Sequence, residues 1–305
     1  MRITLSYKGD NDGFVYPPTF PIMLGKELSN LGYKVELRRD DEDYDYIATP
    51  SDSIYKDEYL YLIDFINSHY DGTDKLELED LELDYEMSPE FNVAGVITAI
   101  GCAYRCKYCP QSKMDFTLRP MDKVLKELEW VTNNYRYFEF IDNNVLTYPA
   151  RFMEIIEHIP KGNKWGALIN IDDIEPMYLW KMRKKGCVNL YVGLESFNPL
   201  DLAYFDKPFH RKGINPKDFL QRLSKGFNVH VFIIRGLPNQ TKEEFEEMTK
   251  WLDEHNITYT ISRLHVNGEY VMETEHLDRE FMEQKFTEDM ETTRRNLHKF
   301  IFKYL

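Results

Sequence analysis

Three of the chain's four cysteines stand in one stretch, GCAYRCKYCPQ, as Cys102, Cys106 and Cys109. This CxxxCxxC spacing constrains the chain more than any other feature. A structural zinc site closes four ligands, usually as two CxxC pairs or as cysteines with a spaced His pair, and this segment offers three thiols and no His. Iron-sulfur clusters are held by cysteine thiolates, normally four, so a cube held by three leaves one iron with an open position, which is a place for chemistry. Two other readings compete: a disulfide with one thiol left over, and separate buried cysteines. Three thiols this close are crowded for separate core roles, and an odd count leaves one unpaired.

Composition narrows the setting. The chain is long enough, at 305 residues with 43% hydrophobic side chains, to bury a large core in one or two domains. No apolar run approaches the roughly 20 residues that cross a bilayer, and the opening MRITLSYKGDNDG lacks the basic and apolar regions of a signal peptide. The expectation is a cytoplasmic protein with no membrane contact, a setting that keeps thiols reduced. A net charge of -14, with acidic runs at Asp40 to Asp45 and Glu77 to Glu86, repels polyphosphates and argues against general nucleic-acid binding. Basic stretches at Arg183 to Lys185 and Lys207 to Lys212 are the exceptions, and they read as solvated ends.

Along the chain, RITLSY and KVELR alternate as strands around a helical stretch with Leu28 and Leu31 on its apolar spacing. DYDYIATPSD reads as a further strand and EYLYLIDFINSHY as a helix. An acidic connector covers 76–92. NVAGVITAIGC is then a strand that delivers Cys102. Helical and strand patterns alternate from there: Asp122 to Asn134, Tyr137 to Ile141, Pro149 to Ile159, WGALINI, Pro176 to Lys185 closed by Gly186, and VNLYVGLE. They continue through a helix capped by Asn215, a strand from Asn228 to Ile234, a helix capped by Thr241, and ITYTISRLH. Six strands counted from Gly95, each followed by a helix, predict a parallel α/β sheet whose ligands gather at the strands' carboxyl ends. Residues 278 to 305 read as a helix with Phe281, Phe286 and Met290 on its apolar face.

The cysteine array, with Tyr108 just before the third cysteine and GLES at 193–196, resembles the radical S-adenosylmethionine (SAM) superfamily. The resemblance implies an α/β fold, a partial (β/α)6 barrel, and a [4Fe-4S] cluster on Cys102, Cys106 and Cys109. The open iron would chelate SAM, and reductive cleavage would give a 5′-deoxyadenosyl radical that acts on an unidentified substrate. An electron donor such as flavodoxin or ferredoxin is implied as partner. The chain lacks the glycines and Glu of the family's GGE-type motif after the second strand. Asp142, followed by Asn143 and Asn144, is the choice there, because a carboxylate accepts charge-assisted hydrogen bonds from an ammonium; an Asx turn is the competing reading. Glu195 and Ser196 can bond ribose hydroxyls or the methionyl ammonium, and a Glu at an apolar strand end is costly unless paired. Ile234 stands where the family's adenine-facing residue falls, with Gly236 permitting close backbone approach; as a physical reading Ile234 is simply core. Arg235 is placed to pair with a carboxylate of SAM or substrate, or with Glu195 or Asp172. Arg263 and His265 are expected near the barrel mouth.

The N-terminal stretch YPPTFPIMLGKELSNLGYKVEL is similar to the opening of the cobalamin-binding domain of B12-associated radical SAM proteins, but the DxHxxG motif is absent and His69 reads as a helix-end residue. Cobalamin is allowed rather than favoured. The expected organisation is a small Rossmann-like α/β domain over 1–90, the barrel over 91–270 and a helical tail over 271–305. Cys187 reads as buried and inert, and the tail has no cysteine for an auxiliary cluster. A cobalamin-assisted methyltransferase and a tRNA-modifying enzyme are narrower readings within the class. A non-catalytic iron-sulfur redox or sensor protein is the competing class.

Overall fold

The computed structural model describes residues 2–8, 26, 28–32, 34–40, 93–106, 109, 115–170, 174–204, 213–266 and 269–301. The strand and helix expected between 44 and 70, the acidic connector, His69, Tyr108, Asp172 and the basic stretch 207–212 lie outside the described residues.

The chain opens with two parallel strands, β1 (Arg2–Lys8) and β2 (Lys34–Asp40), in register from Arg2 opposite Lys34 to Lys8 opposite Asp40. A parallel pair needs a crossover, and residues 28–30 within it are helical, with Leu28 fully buried. The main sheet begins at β3 (Ala94–Val96). Two short strands follow, β4 (Ala99–Ile100) and β5 (Thr117–Leu118), then helix α1 (Met121–Asn134) and β6 (Tyr137–Phe140). The alternation continues with α2 (Pro149–Glu157), β7 (Lys164–Ile169), α3 (Pro176–Lys184) and β8 (Cys187–Glu195). It ends with the short α4 (Pro199–Tyr204), α5 (Pro216–Ser224), β9 (Asn228–Arg235), α6 (Lys242–Glu254) and β10 (Thr258–Arg263). A small ribbon of β11 (His265–Val266) and β12 (Glu269–Tyr270) precedes the long α7 (Arg279–Ile301).

Six strands pair in parallel in the order β10-β9-β8-β7-β6-β3, which is chain order. With helices between successive strands this is the open, partial (β/α)6 barrel expected from the alternation, and β3 and β10 are its two edges. One face of each strand joins the helix-facing core: Phe138 and Phe140, Val229, Val231 and Ile233, Tyr259 and Ile261. The other face lines the barrel interior and is polar towards the amino ends. There the Glu139 carboxylate accepts hydrogen bonds from Tyr137 (2.5 Å) and Tyr191 (2.7 Å). His230 lies between Thr258 and Thr260 at 2.9 and 2.8 Å, and burial pushes its pKa down to about 3, so the ring is neutral.

Two expectations change. The strand drawn through NVAGVITAIGC breaks after Val96, and β4 leaves the barrel to pair antiparallel with β5, Ala99 opposite Leu118. The break has a cause: the N–H groups of residues 97–99 are taken by side chains rather than by a neighbouring strand, Ile97 N by Glu127 and Thr98 N and Ala99 N by Asp142. In α7 the expected apolar face is only half-buried at Phe281, Phe286 and Met290. The buried stripe is Met282, Asp289, Thr293, Asn296 and Phe300, mostly polar, because it meets the backbone of an edge strand.

Candidate functional site at the carboxyl end of the barrel

The cysteine segment leaves β4 and returns at β5, so the short β4–β5 pair forms its neck. Gly101 makes the neck possible. Its φ is +75°, and a Cβ there would fall 2.0 Å from the Asp115 carbonyl oxygen, so only glycine fits. Cys102, Cys106 and Cys109 are half-buried and outside any disulfide, with a turn formed by Cys109 N donating to Cys106 O at 3.1 Å.

Four buried or half-buried charged side chains hold residues 97–99 just before the loop. Glu127 projects from the buried stripe of α1; its Oε1 accepts from Ile97 N (3.0 Å) and its Oε2 from Arg119 (2.8 Å). Arg119 also donates to Ile97 O at 2.7 Å and, through its backbone N–H, to Thr98 O at 3.1 Å. Asp142 accepts from Thr98 N, the Thr98 hydroxyl (2.7 Å) and Ala99 N (2.6 Å). Arg151 of α2 donates to Thr98 O at 3.1 Å and to Arg119 O. Burial pushes the Asp142 pKa up to about 6, against the hydrogen bonds from Thr98 and Ala99, and burial likewise raises Glu127 against its pairing with Arg119. Asn143 then holds the Gly101 carbonyl at 2.9 Å, while Asn144 caps a single 3-10 turn at 145–147 and ties it to Asn170 N at 3.1 Å.

Across the barrel mouth, β8 ends in a register shift between Gly193 and Glu195. Glu195 there adopts φ +65°, a conformation costly for a residue with a Cβ. A bulge of this kind re-aims a side chain at a strand end. Glu195 and Ser196 are both buried, and the Ser196 hydroxyl accepts from Asn198 N at 2.9 Å. In the short α4 that follows, Asp201, fully buried, accepts from the backbone and side chain of Asn239 at 2.9 and 3.1 Å.

The structure thus brings Asp142 and Asn143 to the neck of the cysteine loop and sets Glu195 and Ser196 at the same end of the sheet. Arg235, the last residue of β9, reaches that end on the other face of the sheet. Arg235 alternates with Val231 and Ile233 on the helix-facing side, where Asp289 of α7 takes its guanidinium in two hydrogen bonds (2.6 and 2.7 Å) and Phe245 lies 3.8 Å beneath it. The expected pairing with a ligand, Glu195 or Asp172 is corrected accordingly. Arg263, its neighbour on β10, turns the same way, 3.8 Å from Asp289 and over Phe286. Ile234 lies on the interior side in a small apolar cluster with Leu237 and Leu264. The space beside Gly236 is occupied by Met282 of α7, 2.8 Å from where a Cβ would stand. The His265 side chain is outside the described residues. Cys187 is buried, and burial raises its thiol pKa well above the usual value, as expected for an inert cysteine.

Sequence reasoning missed Arg119, Glu127, Arg151 and Asp289. Glu127 alone left a signal, because it interrupts the Val124, Leu128, Val131 stripe where a lone carboxylate would need a partner.

Three soft thiols in one loop suit an iron-sulfur cube, which takes each thiolate on a different iron.

The radical SAM superfamily model matches residues 96–252, from the last residue of β3 into α6, and the chain belongs to that superfamily of enzymes, which use a [4Fe-4S] cluster and SAM. It is 28% identical over 178 residues to an uncharacterized methyltransferase of Pyrococcus horikoshii, covering 54% of this chain and 37% of the relative. It is 24% identical over 179 residues to the bacteriochlorophyllide d C-12(1)-methyltransferase of Chlorobaculum tepidum, covering 55% and 39%. The chain therefore spans well under half the length of these relatives. In fold it is similar to the cobalamin-dependent SAM radical enzyme OxsB, with a TM-score of 0.52 at 14% identity over 97% of this chain and 56% of that one. It is also similar to the radical SAM methyltransferase TsrM of Kitasatospora setae, with a TM-score of 0.51 at 17% identity over 65% and 38%. No helix among the described residues is long and apolar enough to cross a membrane.

Proposed function

We propose that Cys102, Cys106 and Cys109 hold the [4Fe-4S] cluster and that the chain cleaves SAM reductively beside them. The observation that carries this reading is the loop itself: three cysteines outside any disulfide, necked at Gly101, at the same end of the barrel as the bulged Glu195. A [4Fe-4S] cluster held there would supply the single electron for reductive cleavage of SAM to methionine and a 5′-deoxyadenosyl radical. Glu195 and Ser196 bind the ligand's ribose hydroxyls or ammonium, and Ile234 flanks its adenine. Asn143 fixes the start of the loop. Asp142, already accepting from Thr98 and Ala99, positions the neck and can reach the ammonium only with its remaining lone pairs. A one-electron donor such as flavodoxin or ferredoxin and an unidentified substrate complete the reaction, in the cytoplasm. The organisation proposed is an α/β unit over 1–90, the barrel over 91–270 and the tail over 271–305.

Anaerobic reconstitution with ferrous salt and sulfide tests the reading. The wild-type chain takes up about four irons and forms 5′-deoxyadenosine from SAM under dithionite, whereas the Cys102→Ala, Cys106→Ala, Cys109→Ala variant does neither. Iron retained and product formed by that variant would sink the assignment. A redox-sensing module would bind iron without binding SAM, which calorimetry separates.

A second reading, cobalamin-assisted methyl transfer, is favoured by the two relatives named as methyltransferases and by the likeness to OxsB that runs through the N-terminal strands. Purification with hydroxocobalamin decides it: a chain that keeps no corrinoid absorption excludes it.

A further inference from the structure

We propose that Asn239, clamped between Asp201 and Asn198, is a positioning residue for SAM: it fixes the span between Ser196, assigned to the ligand's ribose hydroxyls or ammonium, and Ile234, assigned to its adenine. This role rests on the SAM-cleavage reading. The two contacts stand on different strands. β8 and β9 pair only as far as Glu195 opposite Ile233, so the loops that follow, 196–198 and 236–241, have no ladder between them. Groups on two loops bind one ligand tightly when their separation is set before the ligand arrives, because ordering them on binding costs affinity.

Side chains make the connection that the ladder does not. The Asn239 backbone N–H and side-chain Nδ2 both donate to Asp201 Oδ1, at 2.9 and 3.1 Å, and the Asn239 carbonyl oxygen accepts from Asn198 Nδ2 at 3.3 Å. Both partners lead back to Ser196. The Asn198 N–H donates to the Ser196 hydroxyl at 2.9 Å, and the Asn198 side chain accepts from Leu200 N, one residue before Asp201, at 2.9 Å. In the other direction Gln240, next in sequence, donates from Nε2 to the Ile234 carbonyl at 2.9 Å and accepts from Gly236 N at 3.0 Å. A continuous path of bonds therefore runs from the Ser196 hydroxyl through Asn198, Asn239 and Gln240 to Ile234. Glu244, at the start of α6, anchors it by accepting from Asn198 Nδ2 at 3.1 Å and from Thr241 N at 3.0 Å. Asp201 is fully buried, which keeps water from competing for its two bonds to Asn239. Both bonds fall on Oδ1, while Oδ2 has no partner among the described residues, so an amide oxygen can serve as well as a carboxylate.

The test is steady-state formation of 5′-deoxyadenosine by the reconstituted full chain, with dithionite in excess and SAM varied. Asp201→Ala removes both anchors on that side of Asn239 and raises the KM for SAM about tenfold, while kcat stays within about twofold of wild type and iron uptake is unchanged. Asp201→Asn keeps the accepting oxygen and brings the KM back to within about twofold of wild type. Asn198→Ala, which leaves Asp201 in place and removes the donor to the Asn239 carbonyl, also raises the KM with iron uptake unchanged. A wild-type KM in either alanine variant overturns the role. So does an Asp201→Asn variant as impaired as Asp201→Ala, because charge rather than the hold on Asn239 would then matter. Loss of iron, or a fall in kcat as large as the rise in KM, overturns it as well, since the two loops would then be supporting the fold rather than setting the ligand. Where Asp201→Ala does not fold, Asn198→Ala alone decides by the same criterion. Absence of product from wild type refutes instead the SAM-cleavage reading beneath it.

Discussion

The two edges of the barrel sheet end in different ways. At β3 the chain is turned out of the sheet by four charged side chains, Glu127, Arg119, Asp142 and Arg151, which bond the backbone of residues 97–99 and leave the cysteine loop projecting. At β10 the chain stays in the sheet and is covered by α7: Thr293 accepts from Ile261 N at 2.9 Å, Asn296 donates to Tyr259 O at 2.9 Å, and Asp289 binds Arg235. Both edges have their backbone groups satisfied by side chains. The difference is what each arrangement leaves behind. The first edge leads through the Gly101 neck into the cysteine loop, and the second is covered by α7. At the first edge charged side chains bond the backbone, whereas at the second the neutral Thr293 and Asn296 do so and the charged Asp289 binds a side chain instead.

The largest effects come from breaking the ion pair at each edge. Glu127→Ala leaves Arg119 buried beside carbonyls alone, and Asp289→Ala leaves Arg235 without its carboxylate; each is expected to lower stability by about 3–5 kcal/mol. Thermal unfolding measures that common loss. The comparison is sharpened by iron content below the unfolding transition: Glu127→Ala takes up less iron on reconstitution, and Asp289→Ala takes up the wild-type amount. Equal iron in the two variants would erase the distinction drawn between the edges.

Next comes pH. The folded Asp142 holds its proton to about pH 6, above the ordinary carboxyl value of 3.8, so the native state binds more protons than the unfolded chain across that window. Its stabilising contribution is therefore full below about pH 4 and lost as pH climbs through 6. The two-unit displacement corresponds to an effect on the order of 3 kcal/mol. The difference in unfolding free energy between wild type and Asp142→Asn should change by that order from pH 4 to 7. A pH-independent difference would mean that Asp142 does not carry a displaced pKa.

The alternation of strands and helices was legible because each element carries its own period. The caps were legible too: Asn215 accepts from Lys217 N and Asp218 N, and Thr241 forms a capping box with Glu244. The cysteine loop was legible from spacing alone. What stayed hidden depends on partners far apart in sequence. Nothing local says that Thr98 meets Asp142, 44 residues on, or that Arg235 meets Asp289, 54 residues on. Arg235 follows an apolar strand as a binding residue would, and only the two-residue alternation from Val231 and Ile233 tells which face it takes. The polar stripe of α7 escaped for a related reason: a helix that covers an edge strand needs donors and acceptors, and apolar periodicity does not detect them.

The smallest expected effect isolates that covering role. Thr293 is fully buried, and its hydroxyl is the acceptor for Ile261 N. Thr293→Val keeps the shape and the helix while leaving that N–H without its partner, which should lower stability by about 1–3 kcal/mol. The accompanying fall in Tm is a few degrees, and iron uptake and SAM cleavage are unchanged at temperatures below the transition. If Thr293→Val unfolds at the wild-type temperature, the edge is covered by packing of Met282 and Phe300 rather than by hydrogen bonds. If it instead loses iron, α7 reaches the cysteine loop across the barrel, and the two edges act as one device.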